Sequence, residues 1–173
     1  MIDNIYNSLR ENNQKIIDYR NSGENWILSL TLLIKNIIVD IGQKEYNYYV
    51  ATNSIKNADQ GEWLFDISFQ EIQLNAELTK TLSVPLVVES ELSKVSFGGF
   101  KEDFDKLFVA TSSCRLFIFR ATNINELNKF LEYAQSSINS FKNFNIDEGI
   151  HIIYWDEIGI QNFVHKYLAK KHS

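Results

Sequence analysis

Between Trp26 and Ile41 apolar residues return every three or four positions, as Trp26, Ile27, Leu30, Leu33, Ile34, Ile37, Ile38 and Ile41. That spacing predicts a helix from Ser22, a residue able to cap its start, to Gly42. A sparser pattern, Ile5, Leu9, Ile16 and Ile17 among polar residues, predicts one earlier helix over residues 3–20. The period then shortens to two. Tyr46–Thr52, Glu62–Gln70 and Val84–Glu91 are rich in aromatic and β-branched residues and predict three strands, with Glu71–Thr81 as a strand extension or a loop. After the break Gly98–Gly99, the face Phe100, Phe104, Leu107 and Phe108 predicts a helix over Phe100–Thr111 with those four residues in the core. Strand Arg115–Ala121, helix Asn125–Phe141, strand Gly149–Trp155 and a final helix over about Ile158–Lys170 complete the order.

Three strands in succession are expected to pair antiparallel, whereas strands joined through helices require parallel crossovers. The expected class is therefore α/β, a mixed sheet with helices on both faces. A chain of 173 residues fits one domain, and its 45% of hydrophobic residues, with twelve Phe and eight Tyr, supplies a sizeable core. Within it we distinguish an N-terminal helix (1–21), a core (22–121) and a helix–strand–helix extension (122–173). The helix Trp26–Ile41 is expected on the sheet through Trp26, Leu30, Leu33 and Ile37.

Cys114 stands alone, so no intrachain disulfide forms, and MIDNIYNSLRENN lacks the apolar run of a secretory signal; a cytoplasmic protein is the expectation. The longest apolar stretch is interrupted by Ser29, Thr31, Lys35, Asn36 and Asp40, so no membrane span is expected.

Candidate chemistry comes from carboxylates in apolar surroundings. On the predicted second strand Glu62, Leu64, Asp66 and Ser68 share one face, with Asp66 mid-strand between bulky neighbours. In VPLVVESEL, Val87, Glu89 and Glu91 project to a common side. A buried carboxylate needs a cation, a donor or solvent. Mg²⁺ or Mn²⁺ meets that need at Asp66 and Glu89, because such hard ions take one or two carboxylates and leave positions for water and phosphate. Such a metal would acidify a bound water and stabilise the leaving oxygen of a phosphodiester, and Glu91 is placed to orient or deprotonate that water. The formal net charge of −5 opposes nucleic-acid binding, although a separate basic face can offset it.

The order of elements, together with GEWLFDISF, VPLVVESEL and KEDFDKLFVATSSCRLFIF, resembles the PD-(D/E)XK, or restriction-endonuclease-like, nuclease superfamily over roughly Ser22 to Ala121. The resemblance implies that fold and a Mg²⁺- or Mn²⁺-dependent endonuclease with DNA as its expected substrate. Asp66 matches the acid of the family's second strand, and Glu89 the first acid of its third-strand acid-x-lysine triplet. Glu91 stands where lysine is commonest. Three alternatives follow: Glu91 replaces the lysine, Lys106 on the next helix supplies the charge, or catalysis has been lost. Glu24 matches an additional helix acid of some members and would be a further metal ligand. A first-turn carboxylate is equally favoured by the helix dipole.

The competing account of Asp66, Glu89 and Glu91 is a strand edge with solvated carboxylates, and that of Lys106 is an i,i+4 pair with Glu102. His151, His165 and His172 have no metal-ligand spacing, Cys114 reads as a small buried hydrophobe, and Trp26, Trp63 and Trp155 read as packing residues. Lys166, Lys170 and Lys171 suit a solvated helix end as well as phosphate contacts. An inactive protein- or nucleic-acid-binding module on the same scaffold, or an inhibitor-like subunit, is the alternative function; a homodimer or protein partner fits either.

Overall fold

In the computed structural model residues 1–23, 25–75, 79–93, 97–144 and 148–171 are described. Among them the chain is α/β, with five α-helices and six strands in one mixed sheet ordered as in the sequence. It falls into two compact units, Met1–Val88 with Thr111–Cys114, and Glu89–Ala110 with Arg115–Ser173.

The first unit begins with three helices, α1 (Ile2–Glu11), α2 (Asn13–Ser22) and α3 (Trp26–Asp40). The single helix expected over residues 3–20 is broken at Asn12, whose side-chain amide donates to the Ser8 carbonyl at 2.9 Å. A short polar side chain of this kind competes with the backbone for helical hydrogen bonds. Ser22 does not cap α3. It closes α2, donating to the Tyr19 carbonyl at 2.7 Å, and Gly23 follows at φ 76°, a left-handed turn that suits glycine.

On α3 the buried residues are Leu30, Ile34, Ile38 and Val39, with the stem of Lys35, whereas Trp26, Leu33 and Ile37 are only half-buried. The core stripe is thus rotated from the expected one, because α3 packs against α1 and α2, where Ile5, Leu9 and Ile16 are fully buried. Trp26–Glu45 is the one stretch among the described residues that is long and apolar enough to cross a membrane. A core helix of a soluble protein passes the same test of length and composition, and α3 buries four apolar residues. A π-helical turn, Ile41–Glu45, ends it; a Cβ on Gly42 would lie 2.7 Å from Phe69 and Val50, so glycine is needed there.

Strands β1 (Tyr49–Thr52), β2 (Ile67–Leu74) and β3 (Thr79–Glu91) form the expected antiparallel meander. The stretch after Gln70 is strand extension, as β2 and β3 run on as a two-stranded ribbon to the pair Leu74–Thr79. The register slips by one between Phe69 and Glu71, where Val84 and Pro85 share the partner position of Gln70. A bulge is where an interior strand tolerates proline, which has no N–H for the ladder. The last pair of the ladder is Ile67 with Val88, one residue short of Asp66 on one strand and of Glu89 on the other.

Residues 62–66 are not strand, contrary to expectation. The Glu62 amide donates to Asn53 Oδ1 at 2.9 Å, and Thr52 Oγ1 donates to the Asp66 carbonyl at 2.7 Å, which diverts polar groups that a ladder would use. Asp66 therefore immediately precedes β2, and Trp63, expected in the core, is exposed together with Leu64.

The second unit holds α4 (Phe97–Lys106), a 3₁₀ turn (Leu107–Val109), β4 (Cys114–Ala121), α5 (Ile124–Ser140), β5 (Gly149–Asp156) and β6 (Asn162–Ala169). Gly98 and Gly99 lie inside α4 instead of before it. Phe100, Phe104, Leu107 and Phe108 are buried as expected; the Phe100 ring lies 4.3 Å from that of Phe130 on α5 and 4.9 Å from that of Phe117 on β4. Each such ring contributes about 1.5–3 kcal/mol through burial. Asn123 caps α5 through the Asn125 amide at 2.8 Å.

Strands β4 and β5 are parallel, the crossover that α5 requires. The expected final helix is instead β6, antiparallel to β5 along all eight residues. Its turn is held by the Asp156 carboxylate, which accepts from the amides of Ile158, Gly159 and Ile160, each at 3.1 Å.

Candidate functional site

Glu89 lies on β3 with a side chain only 3% exposed, at the end of the buried run Pro85–Val88. In the same unit α4 delivers Lys106 to it: the ammonium lies 3.4 Å from Glu89 Oε2 and 2.8 Å from Asp103 Oδ1. The aromatic packing of Phe100 and Phe104 fixes the helix and so the last-turn position of Lys106. Arg115 secures the segment that follows, donating to the Ala110 carbonyl at 3.0 Å and pairing with Glu148 at 3.1 Å.

The expected Glu102–Lys106 pair is replaced by Asp103–Lys106, three residues apart rather than four. The hydrogen bond to Asp103 is the main reason that the Lys106 ammonium is pushed up to about 12 from 10.5; burial opposes the rise and the Glu89 charge assists it. A lysine so held is a cation at neutral pH and cannot act as a base. It can stabilise a negative charge beside Glu89.

Glu91 shares a side of β3 with Glu89 by strand alternation, and it is half-buried. Its Oε1 accepts from the Ser93 amide at 3.0 Å and the Ser93 hydroxyl at 3.1 Å, a turn-forming arrangement at the strand's end. Asp66 is half-buried in the first unit, just before β2. Glu24 lies outside the described residues, as does His172. Glu89 and Lys106 are thus brought together, with Asp103 as a third member that the sequence pattern did not single out. A lysine with acids at both i−3 and i−4 leaves its partner undecided until the helix is placed.

Two histidines given no role also meet. The β5–β6 hairpin sets His151 opposite Tyr167 and His165 opposite Ile153, and His151 Nδ1 lies 3.0 Å from His165 Nε2. Ring centroids 5.2 Å apart match that separation plus the two ring radii, so the rings meet edge to edge, one donating and the other accepting. The alternation of Phe163, His165 and Tyr167 was the signal for this strand.

No group of three or more His, Cys, Asp or Glu gathers as a metal-holding set among the described residues. The side chains considered for a metal, Asp66 and Glu89, offer oxygen alone, the donor chemistry of hard divalent ions that keep most of their water. Comparison of the chain with protein-family models, with curated proteins and with solved structures gives no match.

Proposed function

We propose that the chain is a restriction-endonuclease-like, Mg²⁺- or Mn²⁺-dependent nuclease acting on nucleic acid, with DNA as substrate, in which Lys106 takes the place of the third-strand lysine. The observation that carries this reading is the ammonium of Lys106 beside the buried Glu89 carboxylate. Element order supports it too: a helix, an antiparallel three-strand meander, a helix and a strand follow one another from α3 to β4.

In this reading Glu89 would be a ligand of the metal, with Asp66 as the second ligand that the resemblance implies; when bound, the ion would supply Lewis acidity toward the phosphate and lower the pKa of a coordinated water. Lys106 neutralises charge developing on the phosphate oxygens, the kind of electrostatic assistance worth about 10²–10³-fold in rate. Asp103 positions Lys106 by anchoring its ammonium. Glu91 shapes the turn after β3 through Ser93 and does not take the lysine's part.

The test is metal-dependent cleavage of a mixed DNA and RNA panel. Asp66→Ala and Glu89→Ala should abolish cleavage and Lys106→Met should reduce it about 10²–10³-fold. Glu91→Gln, which keeps an acceptor for Ser93, should stay within a few-fold of wild type. No cleavage by wild type with either metal sinks the enzyme and leaves a binding module on the same scaffold.

A further inference from the structure

In the first unit a cleft of about 480 Å³ opens beside β1 and β2. That volume lies within the range of small-molecule sites, roughly 300–1,000 Å³. Tyr46, Tyr48 and Tyr49 supply its aromatic walls, Leu74 an aliphatic edge, and Asp59 and Glu71 its charges; among the described residues neither lysine nor arginine lines it.

The walls are set by the backbone. Asn47, at φ 55°, separates Tyr46 and Tyr48 in a left-handed step, and their rings lie nearly parallel, 5° between planes and 6.0 Å between centroids. Tyr48 rests in turn on the fully buried Phe69, 5.9 Å away, so its ring has a fixed support.

Both carboxylates are oriented through one oxygen. Asp59 Oδ2 accepts from the Val50 amide at 2.7 Å and from Gln43 at 3.1 Å, and Glu71 Oε2 accepts from Ser83 at 2.7 Å. The second oxygen of each keeps its capacity for a ligand. Aromatic faces and carboxylates attract the same class of group, a cation, and a planar one satisfies both by stacking on a ring while donating to a carboxylate. Two negative charges with no compensating base in the lining disfavour phosphate, so this chemistry is separate from nucleic-acid binding.

We propose that the cleft binds a guanidinium group, stacked on the tyrosine wall and donating to Glu71 and Asp59. N-acetyl-arginine amide is the probe, its citrulline counterpart the neutral isostere, and ring-labelled tyrosine spectra of the intact chain the readout. Saturable shifts of Tyr46 and Tyr48 are expected with the arginine compound and not with citrulline. Glu71→Gln should weaken binding about five-fold, the size of one exposed charged contact, with an unchanged melting profile, and Tyr48→Leu should weaken it by about two- to five-fold through the lost cation–π contact. Equal shifts with citrulline, no saturable shift with arginine amide, or indifference of a folded Glu71→Gln protein would overturn the proposal. An arginine-centred tetrapeptide separates the sources: much tighter binding than the amide assigns the site to a partner chain's arginine, and equal binding to a small guanidine.

Discussion

Lys106 is held from two sides by carboxylates of different exposure, Glu89 nearly enclosed and Asp103 partly open. Its pKa, raised to about 12 from 10.5, means that the folded protein binds this proton more tightly than the unfolded chain does. The stability contributed by its pairs is therefore complete below about 10.5 and disappears as pH rises through about 12. Because Lys106 is half-exposed, the effect is modest and screened by salt. Denaturant titrations of wild type and Lys106→Met should differ by a constant amount from neutrality to about pH 10, and wild type should lose stability relative to the variant above that. A difference that drifts between pH 7 and 9 would contradict the assignment. The residue pattern already marked Glu89 as a carboxylate in apolar company and Lys106 as a helix lysine near it in sequence. It could not tell whether Glu102 or Asp103 would take the lysine, since both spacings lie on one helix face.

The β5–β6 hairpin shows where element type was not legible. Ile160, Phe163, Val164, Tyr167 and Leu168 fall at helical spacing, while Phe163, His165, Tyr167 and Ala169 fall at strand spacing, so periodicity allows both. Pairing decides: β6 matches β5 residue for residue, a partnership that local propensity does not contain. The buried strands and α5 were legible because their patterns admit one period, whereas the loop before β2 was misread because Trp63, Leu64 and Phe65 extend an apolar run that side-chain hydrogen bonds interrupt. Asp156 anchors the hairpin's turn by accepting three backbone amides. Asp156→Ala leaves those exposed donors to water and should cost about 0.5–2 kcal/mol, the size of a lost helix cap, with Asp156→Asn recovering part of it. Denaturation midpoints and faster amide exchange at Ile158–Ile160 would report it. Unchanged exchange in the alanine variant would show that the turn holds without the carboxylate.

For the molecule as a whole, 22 acidic against 17 basic residues make an unlikely carrier for a polyanion, and that balance yields a prediction about the sign of a metal effect. A protein that holds nucleic acid through lysine and arginine alone binds it less tightly when Mg²⁺ is added, because the divalent ion competes for the phosphates. If Asp66 and Glu89 carry a metal that phosphate also ligates, the sign reverses. The ion cancels the carboxylate charge that otherwise repels the backbone, and it adds a contact of its own. Anisotropy of a labelled duplex at fixed ionic strength, read in the cold before cleavage advances, should therefore show affinity rising as Mg²⁺ replaces monovalent salt. Glu89→Ala and Asp66→Ala should then turn that rise into the ordinary decline, since each would remove a carboxylate from the proposed metal site. Lys106→Met should keep the rise while lowering affinity at every Mg²⁺ concentration, because in the proposed site its ammonium would act on the phosphate and not on the metal. A wild-type affinity that falls monotonically with Mg²⁺ would place any nucleic-acid contact on a basic surface away from these carboxylates, and the metal-centred reading would be lost with it.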